Sequence, residues 1–354
     1  MYIVIAIILF GLLIAFHEFG HFIAAKSVGV KVNEFSIGMG PVILSRQGRE
    51  TKYSLRLLPI GGYCALEGLE GENEGTKDPG SFQKKPVWKK LTILLAGSFM
   101  NFLLGIIIIL ILLSGSKAFV TPVLDGFMEG FEYQGPGYLM AGDRIVSIDG
   151  ERIYTSKDIQ LFLSRGNGQT VDLVVKRNGE KIPFKDFPLA LREYITEDGQ
   201  SVRKYGLKFK VVEANLGEVL KNTWYESLFL VRTVRLGLSD LITGAVGIRQ
   251  LSGPVGIVAV INDVGEASES TADAIENISK LFALIAINLA IMNMLPIPAL
   301  DGGRIFYMLV AFIIEKVTRK KVNPKVEGYI HGTGLVLLLA LMAFVMINDI
   351  VRLL

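Results

Sequence analysis

Residues 2–25 read YIVIAIILFGLLIAFHEFGHFIAA. The run is apolar and long enough for an α-helix to cross a bilayer core of about 30 Å, which takes roughly 20 residues. It nevertheless contains His17, Glu18 and His21, and ionisable side chains inside a membrane are costly and mark functional sites. We therefore predict a retained membrane span that carries a site. No basic segment precedes the run, so a cleaved signal peptide is not predicted.

The motif His17-Glu18-Phe19-Gly20-His21 indicates the kind of site. Two histidines four residues apart lie on one face of a helix and can hold one metal ion, and the glutamate beside them can accept a proton. This pattern is typical of zinc-dependent hydrolases. The alternative is a chance match with interfacial histidines. Two of the three histidines in 354 residues meet in this motif, which favours the metal site.

The composition indicates a membrane core joined to an aqueous domain. Apolar residues make up 51% of the sequence and charged residues 20%, too apolar for an ordinary soluble enzyme and too charged for spanning helices alone. Cys64 is the single cysteine, so an internal disulfide and a thiolate zinc site are excluded. The net charge is only +3 and no basic, aromatic-rich stretch occurs, so no nucleic-acid partner is predicted.

Three further segments, at residues 91–113, 281–300 and 332–350, are apolar enough to cross the membrane. Four spans place both termini on one side. The basic residues of the two connecting loops are Lys84, Lys85, Lys89 and Lys90 and, later, Arg304, Lys316, Arg319, Lys320, Lys321 and Lys325. By the positive-inside rule both loops are cytoplasmic. The termini and the middle of the chain are therefore predicted to lie outside the cytoplasm.

Residues 32–66 have a β pattern interrupted by glycines. This predicts a small sheet at the cytoplasmic face, with strands at 33–37, 41–45 and 51–58. The acidic, glycine-rich residues 67–80 are predicted to be a solvated loop.

Residues 115–213 are predicted to be a globular domain. Its expected elements are strands at 144–148 and 170–176, a helix from Thr155 to Gly166, and hairpin turns at Asp149-Gly150 and Asn178-Gly179. Periodicity alone establishes a small β domain, and a PDZ-like module is one of the few folds of this size and content.

Residues 214–275 are predicted to form an amphipathic helix and a linker. Residues 216–246 are largely apolar, but Arg232 and Arg235 lie in their middle, so this helix is expected to lie at the membrane interface. Two irregular stretches follow, a break at 252–256 and a polar loop at 266–273.

A catalytic zinc site ordinarily has three protein ligands, so the two histidines need a partner. The candidates are Asp301, His331 and Asp349. Asp349 lies at the outer end of the last span, whereas His17 lies about 16 residues, or roughly 24 Å, from the outer end of the first. This difference in depth excludes Asp349.

Asp301 is the preferred third ligand. It follows Pro296 and Pro298 in an apolar stretch, residues 281–314, that would be about 50 Å long as one straight helix. The stretch must break, and broken backbone at membrane depth is tolerated where it lines a protein cavity. His331 is the reserve ligand, and the alternative for Asp301 is a cap on the second half of the broken helix.

Together these motifs resemble those of the bacterial site-2 proteases of the RseP type, which are intramembrane zinc metalloproteases. The resemblance covers essentially the whole chain. Besides the histidine motif, it rests on Gly38-Met39-Gly40, Leu58-Pro59-Ile60-Gly61-Gly62-Tyr63, Ala96-Gly97, Asn101, Ser252-Gly253-Pro254-Val255-Gly256, and the Asn-x-x-Pro-x-Pro-x-Leu-Asp-Gly-Gly run at 293–303.

The resemblance implies a four-span α-helical membrane protein, with a membrane-associated β-sheet after the first span and one extracytoplasmic PDZ-like domain. The expected division is 1–114 and 276–354 for the two halves of the membrane core, 115–213 for the PDZ-like domain, and 214–275 for the amphipathic helix and linker. The ligands it implies for Zn²⁺ are His17, His21 and Asp301, with Glu18 as the catalytic base. The substrate-binding residues it implies are Asn288 and Asn293, beside the cleaved peptide, and Gly38 and Gly40, in a sheet that pairs with the unwound substrate.

The expected function is cleavage of the membrane segments of single-span proteins in regulated intramembrane proteolysis. Anti-sigma-factor-like proteins, signal-peptide remnants and peptide-pheromone precursors all fit as substrates, and the PDZ-like domain is expected to bind a peptide or a substrate tail. The expected location is the lipid bilayer of the bacterial inner membrane, with the active site near the cytoplasmic side. A catalytically inactive PDZ scaffold is the alternative. A zinc transporter would need a polar path that the second and fourth spans do not offer.

Overall fold

The computed structural model of the chain describes residues 2–69, 79–195, 201–247, 250–320 and 324–353. Most of the predicted acidic loop, residues 70–78, and Lys321 of the basic loop lie outside these ranges. The chain forms two compact units, one made of Met1–Ile109 with Leu230–Leu354 and the other of Leu110–Phe229.

The helices of the described residues are α1 Tyr2–Ser27, α2 Val87–Ser114, α3 Ser156–Arg165, α4 Leu216–Thr243, α5 Pro254–Glu266, α6 Thr271–Asn293, α7 Asp301–Thr318 and α8 Pro324–Leu353. The strands are β1 Val32–Gln47, β2 Lys52–Leu66, β3 Ala118–Phe127, β4 Arg144–Ile148, β5 Glu151–Arg152, β6 Thr170–Arg177, β7 Glu180–Pro188, β8 Arg192–Ile195, β9 Ser201–Lys204 and β10 Leu207–Glu213. The first unit holds β1, β2 and the long apolar helices, and the second holds β3 to β10 and α3.

Among the described residues, four helices are long and apolar enough to cross a membrane: α1, α2, α6 and the Val326–Arg352 part of α8. The chain is a membrane protein, and the four predicted spans are confirmed. The third starts ten residues earlier than expected. Ser270 caps it by accepting a hydrogen bond from the Asp273 backbone N–H at 3.2 Å. The predicted polar loop at 266–273 is correspondingly shorter.

Part of the region before this span differs from the sequence prediction. The stretch predicted to be amphipathic is one continuous helix, α4, and it is not among the candidate spans of the described residues. Residues 252–256, expected to be a break, instead begin α5, with Pro254 in its first turn. Proline fits there because the first N–H groups of a helix have no partner within it.

The predicted break in the third apolar stretch is confirmed, since α6 ends at Asn293 and α7 begins at Asp301. The connection turns tightly on itself, with the Ile297 N–H donating to the Leu295 carbonyl at 2.7 Å. The first turn of α7 packs directly onto it. A Cβ added at Gly303 would lie 2.1 Å from the Ile297 carbonyl oxygen, so this glycine is required by close approach.

The sheet after the first span consists of two long bent strands, which corrects the prediction of three short ones. Gly38 and Gly40 bend β1 instead of ending it, because both adopt positive φ, +86° and +83°. Arg56 stabilises the bend by donating to the Gly40 carbonyl at 2.9 Å. The bending gives Glu34 register partners on both sides, Ala65 and Lys52.

This sheet is not confined to the end of the first span, as a sheet at the membrane face would be. The Pro59 carbonyl oxygen lies 2.2 Å from the position of a Cβ on Gly11. Gly11 is six residues before His17, or about 9 Å along the helix. The β2 residues just before Pro59 are apolar and exposed, with Leu57 at 58% and Leu58 at 53%. Residues 57–59 of β2 thus present an apolar surface where the strand meets α1.

The second unit confirms the prediction of a small β domain. Its main sheet has the strand order β10-β3-β4-β6-β7, with β5 paired to β4. The predicted helix is α3, and a capping box between Thr155 and Asp158 starts it. The predicted turns are also present, since Asp149 and Asn178 adopt φ of +48° and +50°. The core side chains with the least exposure are Leu124, Leu139, Ile145, Ile148, Leu173 and Val175.

The second unit also includes the first half of α4. Lys157 pairs with Glu226 at 2.6 Å, and the rings of Tyr154 and Tyr225 lie 5.2 Å apart. These contacts fix the start of α4 to the small β domain.

Asp349 in α8 is buried and holds the start of α5. Its Oδ2 accepts from the backbone N–H groups of Gly253 and Gly256 at 2.9 and 2.8 Å. A carboxylate at a helix N-terminus satisfies free N–H groups and complements the helix dipole. Asp349 was excluded as a metal ligand, and in the structure it is instead the hydrogen-bond acceptor at the start of α5.

We expect Asp349→Ala to lower the stability of the fold, because it leaves two buried N–H groups without an acceptor, at a cost of about 1–3 kcal/mol each. Asp349→Asn keeps an acceptor oxygen and should be milder. The measurement is the thermal unfolding temperature in detergent. Val351→Ala, at a largely exposed position of the same helix, is the control. An unchanged unfolding temperature for Asp349→Ala would contradict the assignment.

Candidate metal centre

Helix α1 presents His17 and His21 one turn apart on the face toward α2. Both side chains are buried, and their Nε2 atoms lie 3.1 Å apart. Close approach of the two helices is possible because of glycines. A Cβ on Gly20 would lie 2.3 Å from the Ala96 carbonyl oxygen, and one on Gly97 would lie 2.4 Å from His21 Nε2.

Asp301, the first residue of α7, reaches the same point. Its Oδ2 lies 3.1 Å from His17 Nε2 and 3.2 Å from His21 Nε2. The three side chains offer ligand atoms that all lie within 4.8 Å of one another. The break between α6 and α7 therefore brings together two motifs nearly 300 residues apart.

The proton positions decide what this cluster can bind. His21 Nδ1 lies 2.8 Å from the Ile93 carbonyl oxygen, which can only accept, so Nδ1 carries a proton, and in the neutral ring Nε2 keeps a lone pair. That lone pair faces the Asp301 carboxylate, which also only accepts. Asp301 Oδ2 is buried and has no hydrogen-bond partner in the described ranges. Two acceptors 3.2 Å apart repel each other unless a cation lies between them.

Two asparagines orient the other histidine. The side-chain amides of Asn101 and Asn293 each lie 3.4 Å from His17 Nδ1. Asn101 Oδ1 is buried without a partner among the described residues. With the amides of Asn101 and Asn293 turned over, their oxygens face Nδ1 and accept its proton. In a neutral His17 ring, Nε2 is then free to bind a metal. Two imidazole nitrogens and a carboxylate oxygen are ligands that zinc prefers, and they leave a fourth position for water.

His17, His21 and Asp301 line a cavity of about 260 Å³, and Glu18 borders it as well. The sheet segment beside it begins at Gly62, where a Cβ would lie 3.8 Å from Glu18 Cγ. The residues of the sheet that line the cavity are Tyr63, Cys64 and Leu66. Burial, with the nearby Glu18 carboxylate, raises the pKa of Cys64 to about 12. Its thiol therefore stays protonated at neutral pH and is a poor metal ligand.

Some predicted residues lie elsewhere. Asn288 is exposed and does not line the cavity. Gly38 and Gly40 lie against Leu58 of β2, one strand away from the cavity. His331 Nδ1 accepts from the Ala299 backbone N–H at 3.1 Å and is not part of the cluster.

Sequence reasoning assigned no role to Gly97, Ile93 or Asn101, although all three touch the histidines. The signal for Asn101 was a polar side chain in an apolar span. A backbone carbonyl such as that of Ile93 leaves no signal in the sequence.

Comparison with known proteins agrees with this geometry. Residues 5–341 match Peptidase family M50. A putative zinc metalloprotease of Clostridium acetobutylicum is 36% identical over 349 residues, which cover 99% of this chain and 97% of the relative. One from Fusobacterium nucleatum is 33% identical over 360 residues, covering 100% and 99%. The regulator of sigma-W protease RasP of Bacillus subtilis is 27% identical over 426 residues, covering 98% and 97%.

These matches include both the α1 histidines and the start of α7. The chain therefore belongs to peptidase family M50 and is a zinc metalloprotease of the site-2 type.

Proposed function

We propose that this chain is an intramembrane endopeptidase that cuts the membrane segments of single-span proteins in regulated intramembrane proteolysis. The observation that carries the proposal is the convergence of three metal-ligand atoms beside Glu18, within a group of apolar helices. This arrangement matches a hydrolytic metal centre with its own general base.

In this proposal His17, His21 and Asp301 hold the zinc ion. When bound, zinc supplies a Lewis acid that polarises the peptide carbonyl and makes water more acidic. The Glu18 carboxylate takes the proton of the attacking water and returns it to the amine that leaves. Its place on α1, next to His17, keeps the base beside the ligands without making it a ligand.

Water has a polar route toward this site. The cavity at Glu18 shares Leu69, Leu94 and Arg304 with a second cavity of about 310 Å³. The second cavity is also lined by charged side chains, namely Lys90, Glu315 and Glu327. These belong to the regions whose basic loops predict a cytoplasmic location, which supports an active site open to the cytoplasm.

A substrate helix must unwind before its carbonyls can be attacked, and a sheet edge can hold the opened strand by backbone pairing. The sheet residues that line the cavity are Tyr63, Cys64 and Leu66, so we expect pairing to start there, with Gly38 and Gly40 supplying the bend behind it. The Asn293 amide lies 3.4 Å from His17 Nδ1, and we expect it to contact the substrate backbone as well. Asn288, which is exposed, would contact a substrate only outside the cavity.

We propose a PDZ-like role for the second unit. A cavity of about 400 Å³ lies between α3 and β10, the edge strand of the sheet. Addition of a peptide strand to such an edge, beside a helix, is how PDZ domains bind. Arg203 and Lys204 line the same cavity and suit a peptide carboxylate.

The relative in Bacillus subtilis is named a regulator of sigma-W protease, which supports anti-sigma-factor-like substrates here, with signal-peptide remnants as a second class. We place the protein in the bacterial inner membrane, with both termini and the PDZ-like domain outside the cytoplasm.

Metal content tests the ligand set. We expect about one zinc ion per chain in the detergent-purified protein, and loss or strong weakening of binding in Asp301→Ala, because two histidines alone make an incomplete site. Metal analysis of both proteins after equal dialysis is the measurement. Full zinc retention by folded Asp301→Ala would remove Asp301 from the centre.

A matched pair of glycine substitutions controls for general damage to α2. Gly97→Ala places a Cβ 2.4 Å from His21 Nε2, whereas Gly105→Ala places one 2.7 Å from the buried Ile287 side chain, at a contact that involves neither histidine. We expect zinc loss only in Gly97→Ala. Equal zinc retention in the two variants would mean that the histidines are not held against α2.

Glu18→Gln separates the enzyme from an inactive PDZ scaffold. The amide keeps the size of the side chain but cannot take a proton, so cleavage should fall on the order of 10²–10⁴-fold with zinc retained. The assay is cleavage of a tagged single-span substrate in membranes. A scaffold would act equally well with either side chain.

The PDZ-like domain is proposed to act as a size filter, because it would collide with a large substrate ectodomain. We expect a single-span substrate trimmed on its outer side to be cut and the same substrate with a folded ectodomain to resist. Gel analysis of both, co-expressed with the protease, is the measurement. Equal cleavage of the two would rule out the filter.

A further inference from the structure

The chain segment that leads into Asp301 rests on α8, a helix that contributes no ligand to the metal centre. A Cβ on Gly334 of α8 would lie 2.2 Å from Pro298 Cβ, so the two backbones are in close contact. One turn earlier on α8, His331 Nδ1 lies 3.1 Å from the Ala299 backbone nitrogen.

Ala299 is held in an unfavourable conformation. Its φ is +76°, in the left-handed region that is unfavourable for a residue with a Cβ. Its N–H needs an acceptor, and His331 Nδ1 is that acceptor. Asp301 follows two residues later, so a change in the backbone at Ala299 would move the carboxylate.

The hydrogen bond fixes the form of His331. Because the Ala299 N–H donates, Nδ1 must be the acceptor, and the ring proton is on Nε2. Nε2 is buried and has no hydrogen-bond partner among the described residues. A buried N–H without a partner is unfavourable, so Nε2 does not stabilise the fold. The favourable polar contact of His331 is the hydrogen bond that its Nδ1 accepts.

We propose that His331 is a positioning residue for the metal centre. Its Nδ1 holds the Ala299 N–H, keeps the strained turn in place, and so aims the Asp301 carboxylate at His17 and His21. The inference rests on the proposed function, because it takes Asp301 as a zinc ligand. Substitution of residues that orient metal ligands without binding the metal commonly lowers metal affinity roughly 10–100-fold.

The side chain at 331 can be varied so that only the acceptor changes. The Oδ1 atom of asparagine is attached to Cγ, as Nδ1 of histidine is, so His331→Asn can accept the same hydrogen bond. His331→Gln carries its oxygen one bond farther out, and His331→Ala has no acceptor.

The test is zinc affinity of the full-length protein in detergent, measured by competition with a chromogenic chelator. We expect His331→Ala and His331→Gln to bind roughly 10–100-fold more weakly and His331→Asn to bind almost as the wild type does. The visible spectrum of the cobalt-substituted proteins should change in the same two variants, because the ligand geometry changes.

A second substitution tests the strain directly. Glycine adopts positive φ without penalty, so Ala299→Gly should restore part of the affinity lost in His331→Ala. A general loss of packing would not be restored by adding a flexible residue. If His331→Ala does not fold, the comparison of His331→Asn with His331→Gln decides the question.

Wild-type affinity in His331→Ala would overturn the inference, as would equal weakening in His331→Asn and His331→Ala. Asp301→Ala is measured alongside. If it keeps full affinity, the proposed metal centre fails and this inference with it. If Asp301→Ala loses zinc while His331→Ala keeps it, only the role of His331 fails.

Discussion

The structure depends on the meeting of three lone pairs, those of His17, His21 and Asp301, at one point between apolar helices. In such surroundings their mutual repulsion is poorly screened, and an ion between them turns repulsion into attraction. Other features of the first unit serve this meeting. Gly97 leaves room for the histidine rings, the Ile93 carbonyl fixes one proton, and the break before α7 delivers the carboxylate.

The division of labour among the helices follows from this constraint. In the proposed centre, helix α1 contributes two ligands and the base, and α7 contributes the third ligand. Helix α2 supplies hydrogen-bond partners and space, while α8 supports the turn before α7. A helix that offers no ligand can therefore be as important to the centre as one that does, since metal ligands work only when their orientation is held by a second set of contacts.

Much of this could be predicted from the sequence, because some signals are strong. Charged residues in apolar runs pointed to His17 and Asp301, and length and hydropathy gave the four spans. Other features depend on contacts that no local pattern encodes. A hydrogen bond from Arg56 stabilises the bend that lets β1 continue through Gly38. The start of α5 is held by Asp349, 93 residues after Gly256. In both cases, a distant partner decides whether glycine and proline end an element or begin one.

The separation of the ligands along the chain has a consequence for biosynthesis. His17 and Asp301 are 301 − 17 = 284 residues apart. At roughly 5–20 residues per second, a ribosome needs about 14–57 s to make the intervening chain. During that interval the histidines are already inserted without their carboxylate. With the proposed ligand set, a nascent or truncated chain lacks the third ligand and cannot cut its neighbours at the translocation site. Proteolytic competence then arises only when nearly the whole protein has been made.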